Sequence, residues 1–322
     1  MYPLNRNRRL RSSSSLRSLL QEHHLTPNDF IVPLFVVEGK QLKEPIPSMP
    51  NYFRLSLDLL AEKAKVLWKK EIKAVLLFVK VADKLKDNKG TEALNSDGLM
   101  QNAIKTIKTA VPDMIVMTDV ALDPYSSFGH DGIVKEGKVL NDPTVAVLAE
   151  MALSHAQAGA DVVAPSDMMD GRVFSIRQQL EEANYHDTLI MSYSAKYASS
   201  FYGPFRDALD SAPKHGDKKT YQMDPRNKSE ILIEAELDEL EGADVLMVKP
   251  ALSYLDVIQT IKKNSNLPVS AYNVSGEYAM VHAAAEKGWL DYNQTFIEVL
   301  TSIKRAGADI ILTYFAKDFA KS

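Results

Sequence analysis

Short apolar segments rich in β-branched residues recur along the chain, and longer stretches with apolar residues at every third or fourth position separate them. The short segments have the composition of buried β-strands, and the longer stretches have the periodicity of amphipathic helices. This alternation predicts eight consecutive βα units, with strands at residues 30–37, 74–79, 114–120, 161–164, 188–193, 244–248, 269–273 and 309–314.

The character of these strands favours a closed parallel sheet. Residues 245–248 and 310–312 are apolar without interruption, as in a sheet covered on both faces. A Gly-Ala-Asp sequence precedes three strands, at residues 159–161, 242–244 and 307–309, where a glycine can end a helix. Eight units favour an α/β fold of the (β/α)8 TIM-barrel type over residues 29–322, with an N-terminal arm at residues 1–28. A doubly wound open sheet is the alternative, because sequence spacing does not show closure.

The composition restricts the classes of partner. Of 322 residues, 45% are hydrophobic and 25% charged, and no apolar run approaches the ~18 residues of a membrane span. A net charge of −4 gives no general attraction for nucleic acid, so we expect neither a nucleic-acid nor a membrane partner. The absence of cysteine excludes disulfides, thiolate nucleophiles and cysteine-bound zinc, and it is compatible with a cytoplasmic location.

The N-terminal arm is basic. Its first 17 residues contain five arginines, a serine run at residues 12–15 and no acidic residue. This composition is typical of a transit peptide, although a cleavage signal is lacking. The alternatives are a solvated arm and an arm that grips a neighbouring subunit.

Two lysines follow adjacent predicted strands. Lys196 comes after the fifth strand and Lys249 after the sixth, and neighbouring strands lie ~4.8 Å apart. The C-terminal ends of the strands carry the active site in barrels of this kind. Two ammonium groups in an apolar mouth lower each other's pKa, which favours a neutral amine that attacks a carbonyl. A single lysine here would more often clamp an anion, but a pair favours Schiff-base chemistry.

Carboxylates and a long connection lie at the same predicted rim. Four aspartates there could bind a hard cation or transfer protons, but capping and turn roles explain some of them equally well; they are Asp119, Asp123, Asp131 and Asp170. The connection at residues 197–227 has the length of a lid, and Arg206 and Lys218 on it could close over a carboxylate or remain solvated. His130 is the one histidine near the rim and is weak evidence for a ligand. The others are assigned structural positions: His23, His24, His155, His186, His215 and His282.

Four motifs identify a family resemblance. They are MSYSAK at residues 191–196, SFYGPFR at 200–206, MVKPA at 247–251 and VSGEYAM at 274–280. With them, residues 6–315 resemble the porphobilinogen synthases, also called 5-aminolevulinate dehydratases. The resemblance implies a hydro-lyase that condenses two 5-aminolevulinate molecules to porphobilinogen with loss of two waters, early in tetrapyrrole and haem biosynthesis.

The resemblance also implies roles for individual residues. Lys249 forms a Schiff base with the substrate that becomes the propionate side, and Lys196 holds the second substrate. The implied contacts of the second carboxylate are Arg206 and Lys218, where many relatives have a second arginine. The remaining assignments are Ser275 and Tyr314 for the first carboxylate, Gln222, Ser166 and Tyr193 for other substrate contacts, and Asp119 for catalysis.

The expected metal follows from a difference between this chain and its zinc-dependent relatives. Zinc-dependent relatives have three cysteines where this chain has Ala121, Asp123 and Asp131, so no zinc site is expected. Any active-site cation would be magnesium or a monovalent ion. The resemblance further implies an allosteric magnesium at Glu234, supported through water by Asp170 and by an arginine within residues 6–11 of the next subunit. It implies a homo-octamer of dimers held by their arms.

Two other functions are compatible with the residues alone. A class I aldolase would use one essential lysine and a phosphate grip after strands seven and eight, where no glycine-rich loop appears. A non-catalytic barrel could use the two lysines to clamp an anion.

Overall fold

The computed structural model describes residues 1–214 and 216–320. His215 and the last two positions of the predicted barrel lie outside the described residues. Within the described part, eight parallel strands form the barrel: β1 (Phe30–Val37), β2 (Ala74–Lys80), β3 (Ile115–Val120), β4 (Val162–Pro165), β5 (Leu189–Lys196), β6 (Val245–Lys249), β7 (Val269–Asn273) and β8 (Ile310–Thr313).

The sheet closes on itself. Each strand pairs with its sequence neighbours, and β8 returns to β1 with Phe30 opposite Ile311 and Ile31 opposite Leu312. The architecture is therefore the predicted (β/α)8 barrel, and the open doubly wound sheet is excluded. The strands are buried along almost their whole length, which is why their sequences lack a polar alternation.

Helices follow the strands around the barrel, and the first helix lies in the N-terminal arm. In chain order they are α1 (Ser14–Leu19), α2 (Leu57–Lys69), α3 (Leu99–Ala110), α4 (Asn141–Ala158), α5 (Arg172–Glu182), α6 (Gly203–Leu209), α7 (Glu230–Leu240), α8 (Leu255–Asn264), α9 (Ser275–Glu286), α10 (Tyr292–Ala306) and α11 (Ala316–Phe319). The apolar residues of α3 illustrate the packing, because Met100, Ile104 and Ile107 recur at helical spacing and are buried. Gly159 and Gly307 follow α4 and α10 with φ of 104° and 120°, so both glycines end helices as predicted.

Two short β-ribbons and the lid extend the C-terminal side of the barrel. Lys43–Pro45 pairs with Phe53–Leu55 after β1, and Val134–Lys135 pairs with Lys138–Val139 after β3. The connection after β5 runs to the start of α7 at Glu230 and contains α6. The predicted long connection is confirmed.

The side chains of the N-terminal arm are exposed or half-buried. Residues 7–11 form a 3-10 turn and α1 follows, yet no side chain before Phe30 is buried. Leu4, Leu10 and Leu19 are exposed. Nowhere in residues 1–214 and 216–320 is there a helix with both the length and the apolar character needed to cross a membrane.

Candidate active site

Lys196 and Lys249 are the last residues of β5 and β6 and lie directly opposite each other. The fifth strand runs three residues beyond its predicted end and contains a β-bulge there. Leu246 pairs with Ser192 but Val248 pairs with Ala195, so β5 carries one extra residue. Without the bulge, Lys249 would oppose Ala195 instead of Lys196.

Lys249 lies in an aromatic cage. Its Nζ is 4.7–5.2 Å from the ring centroids of Tyr193, Tyr202, Phe205 and Tyr272. Burial and the neighbouring Lys196 ammonium lower the pKa of Lys249 to about 7, although nearby aspartates oppose the shift. A large share of this amine is therefore neutral near pH 7, which is the form that attacks a carbonyl.

Lys196 has polar surroundings instead. Its Nζ donates to Oδ2 of Asp131 at 3.1 Å and to the main-chain oxygen of Ser166. Burial favours the neutral form of Asp131, but Lys196 and Lys218 outweigh it and lower the pKa of Asp131 to about 2. The surroundings of the two lysines therefore differ, because Lys249 faces aromatic rings and Lys196 faces the ionised carboxylate of Asp131.

Lys218, in the connection after β5 (residues 197–229, called the lid), contacts two of the aspartates at the rim. Its Nζ donates to Oδ2 of Asp123 at 3.2 Å and also to Oδ1 of Asp131. Burial acts to lower the pKa of Lys218, and the two aspartates outweigh it and raise that pKa. His130 also meets the lid, since its Nδ1 lies 3.1 Å from the hydroxyl of Tyr221.

Asp119 is set up for proton transfer. Burial, reinforced by the charge of Asp123, raises the pKa of Asp119 to about 7. Among the described residues, its Oδ1 has no hydrogen-bond partner, while a hydrogen bond with the Ser166 side chain favours the ionised form. A carboxyl group with this pKa can both accept and release a proton near neutrality.

The structure brings eight predicted site residues around one small cavity of about 30 Å³. This volume holds roughly one water molecule, so binding of two substrates requires the lid or side chains to move. The lining consists of Asp119, Asp123, Ser166, Lys196, Tyr202, Phe205, Arg206, Ser211, Lys218, Gln222 and Lys249.

Three predicted contacts are buried but do not line this cavity. Tyr193 contributes a ring near Lys249, and Ser275 Oγ donates to the main-chain oxygen of Phe201 at 3.4 Å. The Tyr314 hydroxyl lies 2.7 Å from that of Tyr272, whose ring contacts Lys249. Ser275 and Tyr314 therefore adjoin the Lys249 side of the site.

Sequence reasoning missed several residues of the site. Tyr202 and Phe205 lie within a quoted motif, and the Tyr202 hydroxyl donates to the main-chain oxygens of Tyr197 and Lys249. Tyr272 sits inside β7, where only the sheet register shows that it faces the lysines. Ser211 had no sequence signal.

A second cavity, of about 420 Å³, surrounds the predicted magnesium residues. Burial raises the pKa of Glu234, and the charges of Asp238 and Asp170 add to the shift although Arg172 opposes it. Such a crowded set of oxygens suits a hard cation that keeps most of its waters. Within the part of the chain that the structure describes, no group of three or more His, Cys, Asp or Glu residues is placed to hold a metal ion directly. The lining includes Asn141, Asp170, Asp224, Asn227, Glu230 and Glu234.

Comparison with known proteins decides the family. The family model described as "Delta-aminolevulinic acid dehydratase" matches residues 4–322. The chain belongs to this family. Delta-aminolevulinic acid dehydratases are metal-dependent lyases of tetrapyrrole biosynthesis, so the chain is such a lyase. The aldolase and non-catalytic alternatives are therefore excluded.

Individual relatives match the chain over nearly its full length. The delta-aminolevulinic acid dehydratase of Synechococcus elongatus is 53% identical over 100% of this chain and 99% of its own. That of Bacillus subtilis (strain 168) is 51% identical over 98% of this chain and 97% of its own. A crystal structure of the Toxoplasma gondii ME49 enzyme with its reaction product porphobilinogen is 54% identical, with a TM-score of 0.97 over 98% of this chain and 91% of that one.

Proposed function

We propose that the chain condenses two 5-aminolevulinate molecules to porphobilinogen through Schiff bases on Lys249 and Lys196. The pairing of these two buried lysines across β5 and β6 carries the proposal. Each amine adds to the ketone of one substrate and expels one water. Both amines leave again when the pyrrole ring forms, so the net loss is two waters.

Lys249 is the nucleophile for the first substrate, because burial and the neighbouring Lys196 ammonium favour its neutral amine. Ser275, at the start of α9, and Tyr314, directly after β8, bind that substrate's carboxylate. Asp119 removes the proton from the carbon that forms the new C–C bond, since its pKa of about 7 allows it to act as a base and then release the proton.

Lys196 holds the second substrate, with Ser166, Tyr193 and Gln222 as further contacts. Arg206 and Lys218 bind the second carboxylate. Lys218 now pairs with Asp123 and Asp131, and an incoming carboxylate competes with them for its ammonium. Binding therefore involves displacement of Lys218 and enlargement of the 30 Å³ cavity.

For the metal, we propose magnesium at Glu234, with Asp170 as a water-mediated partner, and no zinc. The cation would neutralise the acids that crowd Glu234 and so regulate the enzyme from outside the reacting centre. At the reacting centre, any cation would be magnesium or a monovalent ion on the oxygens of Asp119, Asp123 and Asp131. The chain has no cysteine with which to bind zinc there.

For the assembly, we propose a cytoplasmic homo-octamer in which residues 1–28 form an arm that packs on the neighbouring subunit and residues 29–322 form the catalytic barrel. Leu4 and Leu19 in the arm are each 79% exposed, and such apolar residues gain stability when a partner covers them. An arginine within residues 6–11 would then approach the acids around Glu234 of that neighbour.

Borohydride trapping tests the proposed chemistry. Incubation with 5-aminolevulinate and sodium borohydride, followed by peptide mass spectrometry, should locate a reduced adduct on Lys249, and porphobilinogen should form when borohydride is omitted. The variant Lys249→Met should give neither result. Product formation by that variant, or no adduct on Lys249 in the unmodified chain, would refute the assignment.

A further inference from the structure

Glu277, at the start of α9, is buried and accepts hydrogen bonds from the main chain and from Asn273. Its exposed fraction is 1%, and both of its carboxylate oxygens accept N–H groups. Oε1 accepts from the amide of Leu252 at 2.8 Å. Oε2 accepts from Nδ2 of Asn273 at 2.7 Å and from the amide of Val274 at 3.0 Å. The carboxylate therefore ties three separate points of the backbone and side chains together.

The first of these points belongs to the loop that carries the Schiff-base lysine. Leu252 lies three residues after Lys249, and the main-chain oxygen of Lys249 is itself held by the amide of Tyr197 at 2.9 Å and the hydroxyl of Tyr202 at 3.1 Å. Hydrogen bonds therefore hold both ends of the segment 249–252, with Glu277 at Leu252 and Tyr197 and Tyr202 at Lys249.

The second and third points belong to the proposed carboxylate site. Val274 precedes Ser275, so the bond from the Val274 amide sets where Ser275 begins α9. Asn273 extends the network to β8, because its Oδ1 accepts from Thr313 Oγ1 at 2.9 Å. The same hydroxyl accepts from the amide of Phe315 at 3.1 Å. Tyr314 lies between Thr313 and Phe315.

We propose that Glu277, through Asn273 and Thr313, is a positioning residue that sets the distance between Lys249 and the groups that bind the first substrate's carboxylate. The inference rests on the proposed function. Glu277 touches no substrate in this arrangement and acts through Lys249, Ser275 and Tyr314. The second substrate's side, at Lys196, receives no bond from this network.

The substitution Glu277→Gln tests the proposal because it conserves size but replaces an acceptor oxygen with an NH2 group. Whichever way the amide is turned, the NH2 group faces at least one N–H donor. The double variant Glu277→Gln/Asn273→Asp restores an acceptor opposite that NH2 group. Asp29→Asn is the control, because it weakens a part-buried contact with Lys304 and an exposed contact with Thr26 before β1, at the opposite end of the barrel.

The measurement is the concentration of levulinate, the 4-oxo acid without the amino group, that gives half-maximal borohydride trapping at each lysine. For Glu277→Gln we expect this concentration to rise roughly 10- to 100-fold at Lys249 and to stay unchanged at Lys196. The double variant should recover part of the loss, and Asp29→Asn should trap normally at both lysines even if its melting temperature falls. A purely structural role would lower the melting temperature without this difference between the lysines.

Unchanged trapping at Lys249 in Glu277→Gln, or an equal loss at both lysines, would overturn the inference alone. No adduct on Lys249 in the unmodified chain would overturn the proposed function and the inference with it. If Glu277→Gln does not accumulate as folded protein, Thr313→Val replaces it, because it removes the hydroxyl that joins Asn273 to the Phe315 amide. It should weaken trapping at Lys249 in the same direction, and normal trapping there would equally overturn the inference.

Discussion

Lys249 faces Lys196 across β5 and β6, and the two amino groups have different surroundings. Aromatic rings surround Lys249, whereas Lys196 lies 3.1 Å from an oxygen of Asp131. A single bulge in β5 produces the pairing, and the residues that surround each amine produce the difference. The asymmetry of the proposed reaction, in which two identical substrates have different fates, therefore has a basis in the unbound enzyme.

The pH dependence of activity follows from Lys249. Below its pKa of about 7 the amine is protonated and cannot attack, and above it the amine is neutral. We expect kcat/KM to rise with pH along a limb centred near pH 7, measured as porphobilinogen formation. Asp119 titrates in the same range, so the control is Asp119→Asn, which should be slower and keep a limb moved to lower pH, because the charge of Asp119 raises the pKa of Lys249. A limb centred near pH 10 would contradict the lowered pKa.

Replacing each lysine with methionine should affect stability in opposite ways. Lys249→Met removes a buried amine from an aromatic cage, so we expect an unchanged or higher melting temperature together with loss of product formation. Lys196→Met leaves Asp131 with Lys218 as its remaining cation partner, and we expect it to cost roughly 1–3 kcal/mol. Urea unfolding of both variants provides the measurement. Equal destabilisation by the two substitutions would argue against the difference in their surroundings.

Lys218 should affect substrate affinity more than it affects the chemical step. Lys218→Ala removes a cation from the proposed second carboxylate site, so we expect KM to rise about 10-fold or more, whereas Lys218→Arg should keep most of the affinity. Steady-state kinetics with 5-aminolevulinate distinguish the two variants. An unchanged KM in Lys218→Ala would indicate that this lysine serves only to neutralise Asp123 and Asp131.

The proposed magnesium site predicts a specific metal response. After treatment with a strong chelator, activity or the octamer population should fall, and magnesium but not zinc should restore it. Glu234→Ala should abolish the response to magnesium. Its matched control is Glu236→Ala, since Glu236 lies two residues away on α7, is exposed and lines a different cavity. Restoration by zinc, or an identical loss in Glu236→Ala, would contradict the assignment.

Some of the fold and the site could be read from local patterns. All eight strand predictions agree with the structure to within about three residues, because continuous apolar runs between helical stretches are local signals. The largest difference is the end of β5, where Ser194 interrupts the apolar run and the strand continues through a bulge. The arm boundary and the roles of the individual site residues stay predictions.

The sequence by itself determined the order of the βα units, the helix stops at glycine, the exclusion of cysteine chemistry and the family, since each depends on residues that are close in the chain or on motifs. Only the tertiary structure decided the partners of the site residues. Lys196 and Asp131 are 65 positions apart, and Lys218 and Asp131 are 87 apart. The pKa of a buried group depends on charges and burial that the fold brings together. The contacts of Glu277 with Asn273 and Val274 are local in the chain, but only the fold brings Leu252 to Glu277 and Thr313 to Asn273.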